Sequence, residues 1–172
     1  AQSIDDRFAL SNNLLVFADN DGEDGVINCS ELAIWDVALD DYQVYQLGDA
    51  AGDRARTRER LGWWKFDDAA DMLKAEVGNP LELVGTHESV AGPSSGNLAA
   101  KIGPQSYYKI AHEIDLNGED LLVNEYSLQI DFSVPDKAAW HAFFQTNPAN
   151  GDDADLFAKN SNYTIGTAIT GY

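Results

Sequence analysis

The chain has 172 residues, 44% of them apolar and 10% aromatic, enough for one ordinary domain with a packed core and too much for wholesale disorder. Its 29 acidic residues outnumber 11 basic ones, and a net charge of -18 repels a phosphate backbone, so no nucleic acid partner is expected. Cys29 stands alone, which excludes a disulfide within the chain, and no run of about 18 apolar residues exists to insert into a membrane.

In chain order, "NLLVFA" (residues 13–18) is a short apolar run that fits a buried strand, and an acidic turn follows at Asp19 to Gly25. The next run, "VINCSELAIWD", alternates Ile27, Cys29 and Glu31 against Val26, Asn28 and Ser30 until Leu32, Ile34 and Trp35 break the phase. The two runs read as a strand pair around a polar hairpin, with Gly22 and Gly25 supplying positive φ. In "VALDDYQVYQLG", Leu39, Val44, Tyr45 and Leu47 recur near helical spacing, with Asp40 as N-cap and Gly48 as stop. This predicts one short helix near residues 39–47.

Residues 50–61 read as a surface linker, with arginines at 54, 56, 58 and 60 and almost no bulky apolar side chain. Beyond it, "LGWWKFDDA" and "NPLELVG" read as strands, "SVAGPSSGN" as a loop, and "QSYYKIA" as another strand. "HEIDLNGEDLLVNE" carries a turn signal at Asn117-Gly118. The clearest strand is "EYSLQIDFSV": Tyr126, Leu128, Ile130, Phe132 and Val134 share one face, and Ser127, Gln129, Asp131 and Ser133 the other. "AAWHAFFQ" reads as its neighbour, "NPANGDDAD" as a second acidic loop, and "YTIGTAITGY" as a final β-branched run. Many short strands punctuated by Gly, Asn and Pro predict an all-β, antiparallel sandwich.

Asp19, Asp21, Glu23 and Asp24 of the acidic turn, with Glu31 in the run that follows, are the candidate ligands of a calcium ion. Asp24, Gly25, Ile27 and Glu31 match the fifth, sixth, eighth and twelfth positions of an EF-type loop, yet one extra residue puts Asp19 and Asp21 out of register. The bland alternative is a polar turn without an ion. Asp152, Asp153 and Asp155 form a weaker candidate. Trp63, Trp64, Tyr107, Tyr108 and Trp140 are candidates for stacking on a sugar, although adjacent aromatic pairs in a strand must send one ring inward. His87, His112 and His141 lack metal-ligand spacing.

"GWWKFDDAADMLKAEVGNPLELVGT" together with the later "YSLQIDFSV" resembles the opening of a laminin G-like domain, a jelly roll of the concanavalin A-like class. "LLVFADNDGEDGVINCSELAIWDVALDDYQVYQLG" resembles the end of such a domain, with its last strand and terminal helix. The resemblance covers most of the chain in swapped order: residues 1–49 match the family's C-terminal elements and residues 62–172 its N-terminal ones. It implies either one permuted sandwich over residues 1–172, or two partial domains, 1–49 and 62–172, cut from adjacent repeats. A tryptophan strand and a "Tyr-x-Asp-Gly" hairpin usual in the family have no counterpart here.

Through the resemblance, the expected function is a noncatalytic extracellular or cell-surface binding and adhesion module, recognising glycan or protein, with calcium as candidate cofactor. A second reading is a structural repeat that assembles with neighbouring repeats or chains by strand completion. A third is an accessory domain of a secreted hydrolase. Glycoside hydrolases of this fold use carboxylates on alternate strand positions. Glu113 and Asp115 fit the first two, but Glu119 comes two residues late, after the Asn117-Gly118 turn.

Overall fold

A computed structural model describes residues 4–21, 24–47, 59–118, 121–159 and 169–171. Among these the elements are β1 (Asn13–Val16), β2 (Ile27–Trp35), α1 (Asp41–Leu47), β3 (Gly62–Trp64), β4 (Glu82–Val84), β5 (His87–Ala91), β6 (Leu98–Ile102), β7 (Tyr107–Ala111), β8 (Ser127–Ser133), β9 (Trp140–Gln145), β10 (Leu156–Lys159) and β11 (Ile169–Gly171). They form two antiparallel sheets, the all-β sandwich expected from the strand pattern. The first sheet runs β11-β10-β9-β1-β7-β4, and the second runs β3-β2-β6-β5 with β8 along the other edge of β2.

The first 35 residues supply the middle of both sheets. β1 lies between β7 and β9, with Leu14 opposite Ile110, Val16 opposite Tyr108, and Val16 also opposite Phe144. β2 pairs with β8 over Asn28–Trp35, so β6 at Ile27–Cys29 and β3 at Leu32–Ile34 share its remaining edge. One core cluster joins Leu14 and Val16 of β1 and Ile27, Cys29, Leu32 and Ile34 of β2 to Trp64, Tyr108 and Phe143 from the later segment.

Strand β2 also explains its own broken sequence phase. The pairing with β8 slips between Cys29 and Glu31, leaving Ser30 as an extra residue, a β-bulge. Before the bulge Ile27 and Cys29 reach the core, and after it Leu32 and Ile34 do, all at 2% exposure or less. Across the interior, Phe132 of β8 meets Phe143 of β9 with ring centroids 4.5 Å apart. The helix begins as its sequence predicts: Asp40 Oδ1 accepts the Gln43 N–H at 2.8 Å, and Gln43 Oε1 accepts the Asp40 N–H at 2.8 Å, a reciprocal cap.

Several expectations are corrected. β1 and β2 do not pair with each other; the acidic turn crosses from one sheet to the other. Phe17 starts that crossing in the left-handed region, φ 68°, while its N–H still donates to the Phe143 carbonyl at 3.0 Å. Gly25 has no positive φ. It is needed because a Cβ there would stand 2.6 Å from His141 Cε1 and 2.7 Å from Ala139 Cβ. Gly22 lies outside the described residues, as does the linker up to residue 58.

β9 is not a neighbour of β8 but belongs to the opposite sheet, paired with β1 and β10. Part of the stretch read as a loop at 89–97 is strand: Ser89–Ala91 close β5, which forms a hairpin with β6 around a turn where Gly92 N–H donates to Asn97 O at 2.9 Å. Small residues in β6, "LAAKI", hid that strand from a reading that looks for bulky β-branched side chains.

Leu32→Ala removes a fully buried side chain at the point where β3, β2 and β8 meet, and is expected to cost about 3 kcal/mol in urea denaturation. A loss below about 1 kcal/mol contradicts this placement of β2.

Candidate functional site

The structure separates the acidic turn into parts with different partners. Asp24 is buried, and its carboxylate accepts the Gln105 N–H, 3.0 Å from Oδ2 and 3.3 Å from Oδ1, tying the turn to the β6–β7 connection. Burial raises the Asp24 carboxyl above its ordinary value of 3.8; the N–H groups of Asp24 and Gln105 pull it back, and Asp21 adds a smaller upward push. Glu31 points to the outer face of the second sheet. Its Oε1 accepts the Trp63 indole N–H at 2.9 Å and lies 3.6 Å from Arg60 Nη2. Glu23 lies outside the described residues.

Asp19 turns instead toward the second acidic loop, between β9 and β10. Its carbonyl accepts Asn150 Nδ2 at 3.1 Å, and its Oδ1 accepts the Ala154 N–H at 3.4 Å. The two acidic stretches, more than a hundred residues apart in the chain, therefore meet through Asp19. Asp21 is exposed. Among the described residues no three metal-ligating side chains stand together as a ready-made ion cage.

Beside that loop lies a cleft of about 470 Å³, lined by Arg7, Gln145, Thr146, Asn147, Asp152, Asp153 and Asp155. Asp155, buried, joins three segments: Arg7 Nε meets Oδ1 at 2.7 Å, and Oδ2 accepts the Thr146 N–H at 2.6 Å and lies 2.7 Å from the Thr146 hydroxyl. The same hydroxyl is 2.6 Å from the Arg7 carbonyl, so its single proton serves one oxygen at a time. Asn147 Nδ2 donates to Asp152 Oδ2 at 2.7 Å. Asp152 and Asp153 are exposed.

Gln145, only 1% exposed, sends its carboxamide into the loop. Nε2 donates to Asn150 Oδ1 at 3.2 Å and to the Asp152 carbonyl, which assigns the amide orientation. Oε1 is then a buried acceptor without a hydrogen-bond partner. An unsatisfied buried carbonyl costs about 1–3 kcal/mol, so a donor or cation reaching it would be favoured.

The aromatic candidates are dispersed. Trp64 and Tyr108 are buried in the core. Trp63, on the outside of the second sheet, has Arg60 and Lys65 each 4.2 Å from its ring centroid. Trp140 packs on Phe157 at 5.0 Å in a second small cluster, and Tyr107 is half-buried on β7. Trp63 belongs to one sheet and Tyr107 and Trp140 to the other, so they form no common platform.

The histidines are structural in their contacts. His87 Nδ1 lies 2.8 Å from the Tyr108 hydroxyl. His112 is buried with Nε2 2.5 Å from the Ser11 carbonyl and Nδ1 accepting the Ile114 N–H at 3.1 Å, a pattern that requires the neutral ring. His141 Nε2 lies 2.7 Å from the Asp136 carbonyl. Glu113 and Asp115 are exposed in the connection after β7, with Glu113 at φ 51°, and do not sit on a strand as alternate carboxylates must. Glu119 lies outside the described residues.

No family model, curated protein or solved structure matches the chain in comparisons with known proteins.

Arg7 and Gln145 escape a linear reading because their partners are remote or chemically ordinary: Arg7 meets Asp155 across 148 positions. The loop itself was visible in its Asn, Gly and Asp content.

Asp24→Asn tests the Asp24 assignment by its pH dependence. A carboxyl raised on folding favours the native state fully below its unfolded pKa and loses that contribution as pH rises through the folded value. In chelator, the variant is therefore expected to melt above the parent at pH 7, with the gain vanishing toward pH 3. A variant that melts below the parent at pH 7 contradicts the assignment.

Proposed function

We propose that this chain is a noncatalytic binding module of extracellular or cell-surface type, similar to laminin G-like domains, and that it recognises a glycan at the cleft beside the β9–β10 loop. The observation that carries the reading is the cleft's lining: seven polar or charged side chains, donors and acceptors interleaved, and one buried acceptor left unsatisfied. Sugar hydroxyls both donate and accept, and a convergent set of fixed polar groups is what orients them.

Calcium fits the same place. Hard cations take carboxylate, amide and backbone oxygens at flexible geometry. Asp152, Asp153 and the Gln145 amide oxygen would supply such donors, with Asp19 and Asp21 of the acidic turn as further candidates. Asp24 is held toward Gln105 and Glu31 toward Trp63 and Arg60 rather than toward this loop. When bound, the ion would offset carboxylate repulsion and offer open positions to vicinal hydroxyls.

Thermal melting with calcium and with chelator, paired with glycan-array binding, tests the reading. At a calcium concentration a hundred times Kd the fold gains about 2.7 kcal/mol, a rise on the order of 5–10 °C for a chain of this size. The double variant Asp152→Asn with Asp153→Asn is expected to lose both that rise and chelator-sensitive glycan binding. An unchanged midpoint together with no glycan retained above background refutes the proposal.

A further inference from the structure

The outer face and open edge of β8 are the strongest feature that the cleft does not use. β8 is seven residues long, and among the described residues its only strand partner is β2. Its inward residues Leu128, Ile130 and Phe132 stay half-buried, while Ile34, Leu32 and Cys29, their respective partners on β2, are 0% exposed. The core is thus shielded less along this edge than one strand further in. "SLQIDFS" has no proline and no lysine, and its single charge, Asp131, lies on the outer face.

Against its outer face lies a groove of about 340 Å³, walled by Trp35, Leu39, Val44 and Leu47 on one side and Gln129 and Asp131 on the other. Helix α1 forms part of that wall with no buried residue of its own; Val44 is 55% exposed and Tyr45 74%. Gln129 Nε2 donates to Asp131 Oδ1 at 3.2 Å, which leaves Gln129 Oε1 a buried acceptor without a partner. Register places Asp131 opposite Glu31 on this face.

The occupant follows from charge. The same face already receives one guanidinium: Arg60 lies over Trp35 at 5.6 Å and 3.6 Å from Glu31. One strand over, Asp131 and the Gln129 oxygen repeat that acceptor chemistry beside an apolar groove. A net charge of -18 disfavours a second copy of the chain here. We infer that β8 takes an added strand from a partner protein: an extended basic segment whose backbone pairs with Ser127–Ser133, whose cationic side chains meet Gln129 and Asp131 on the outer face, and whose alternate apolar side chains turn inward to cover the half-buried Leu128, Ile130 and Phe132.

This surface is independent of the glycan cleft, so either proposal can fail alone. The probe is a labelled, end-capped octapeptide of alternating arginine and valine, followed by fluorescence anisotropy. The inference expects saturable one-to-one binding, weakened at least about tenfold by full backbone N-methylation of the peptide and by Asp131→Lys in the protein. Asp131→Lys melts like the parent, and Asp152→Asn with Asp153→Asn binds the peptide as the parent does. Bound peptide also slows hydrogen exchange at the outward amides of Ser127–Ser133. Equal binding of the N-methylated peptide, equal binding of an alternating glutamate–valine peptide, or no binding overturns it. Self-association in sedimentation that Asp131→Lys abolishes also overturns it, by making a second copy the occupant.

Discussion

Backbone pairing on both edges of β1 and β2 is the constraint on which the structure depends. Each is a central strand of its sheet, β1 between β7 and β9, β2 between β8 and the β3–β6 pair. A central strand satisfies all its N–H and C=O groups through neighbours, so removing it leaves two new edges as well as a hole in the core. Two short apolar runs near the start of the chain therefore hold together strands from nearly every later segment.

The positions of the loops follow. Because β1 and β2 sit in different sheets, the acidic turn must cross the sandwich, and Phe17 and Gly25 shape that crossing. The crossing splits the carboxylates: Asp24 toward Gln105, Asp19 toward the β9–β10 loop, Glu31 out to Trp63 and Arg60. Dispersal lowers the repulsion that carboxylates crowded in one turn would suffer, and it makes the β9–β10 loop, rather than the turn alone, the place where polar groups converge. β8 is the converse case, a strand that among the described residues has a neighbour on one side only.

The strands with strict alternation were legible in the sequence, because period-two patterning reports a half-buried sheet directly: β8 is the clear instance, and the helix was legible through Asp40 and its cap. β2 was legible as a strand but its phase break was not interpretable until the bulge at Ser30 appeared. β5 and β6 escaped because Ser and Ala do not mark a strand by size. Sheet partnership was the weakest inference: proximity in the chain suggested that β1 paired with β2 and β8 with β9, and both pairs lie in opposite sheets. For the site, acidity drew attention to both loops, but neutral Gln145 and remote Arg7 gave no linear signal.

Native-state hydrogen exchange is the most direct test of the central claim. The account predicts that the amides of Leu14–Val16 and Leu32–Ile34 exchange slowest, opening only with global unfolding, while edge strand β4 exchanges through smaller openings. Exchange at Leu14–Val16 as fast as at Glu82–Val84 would contradict it.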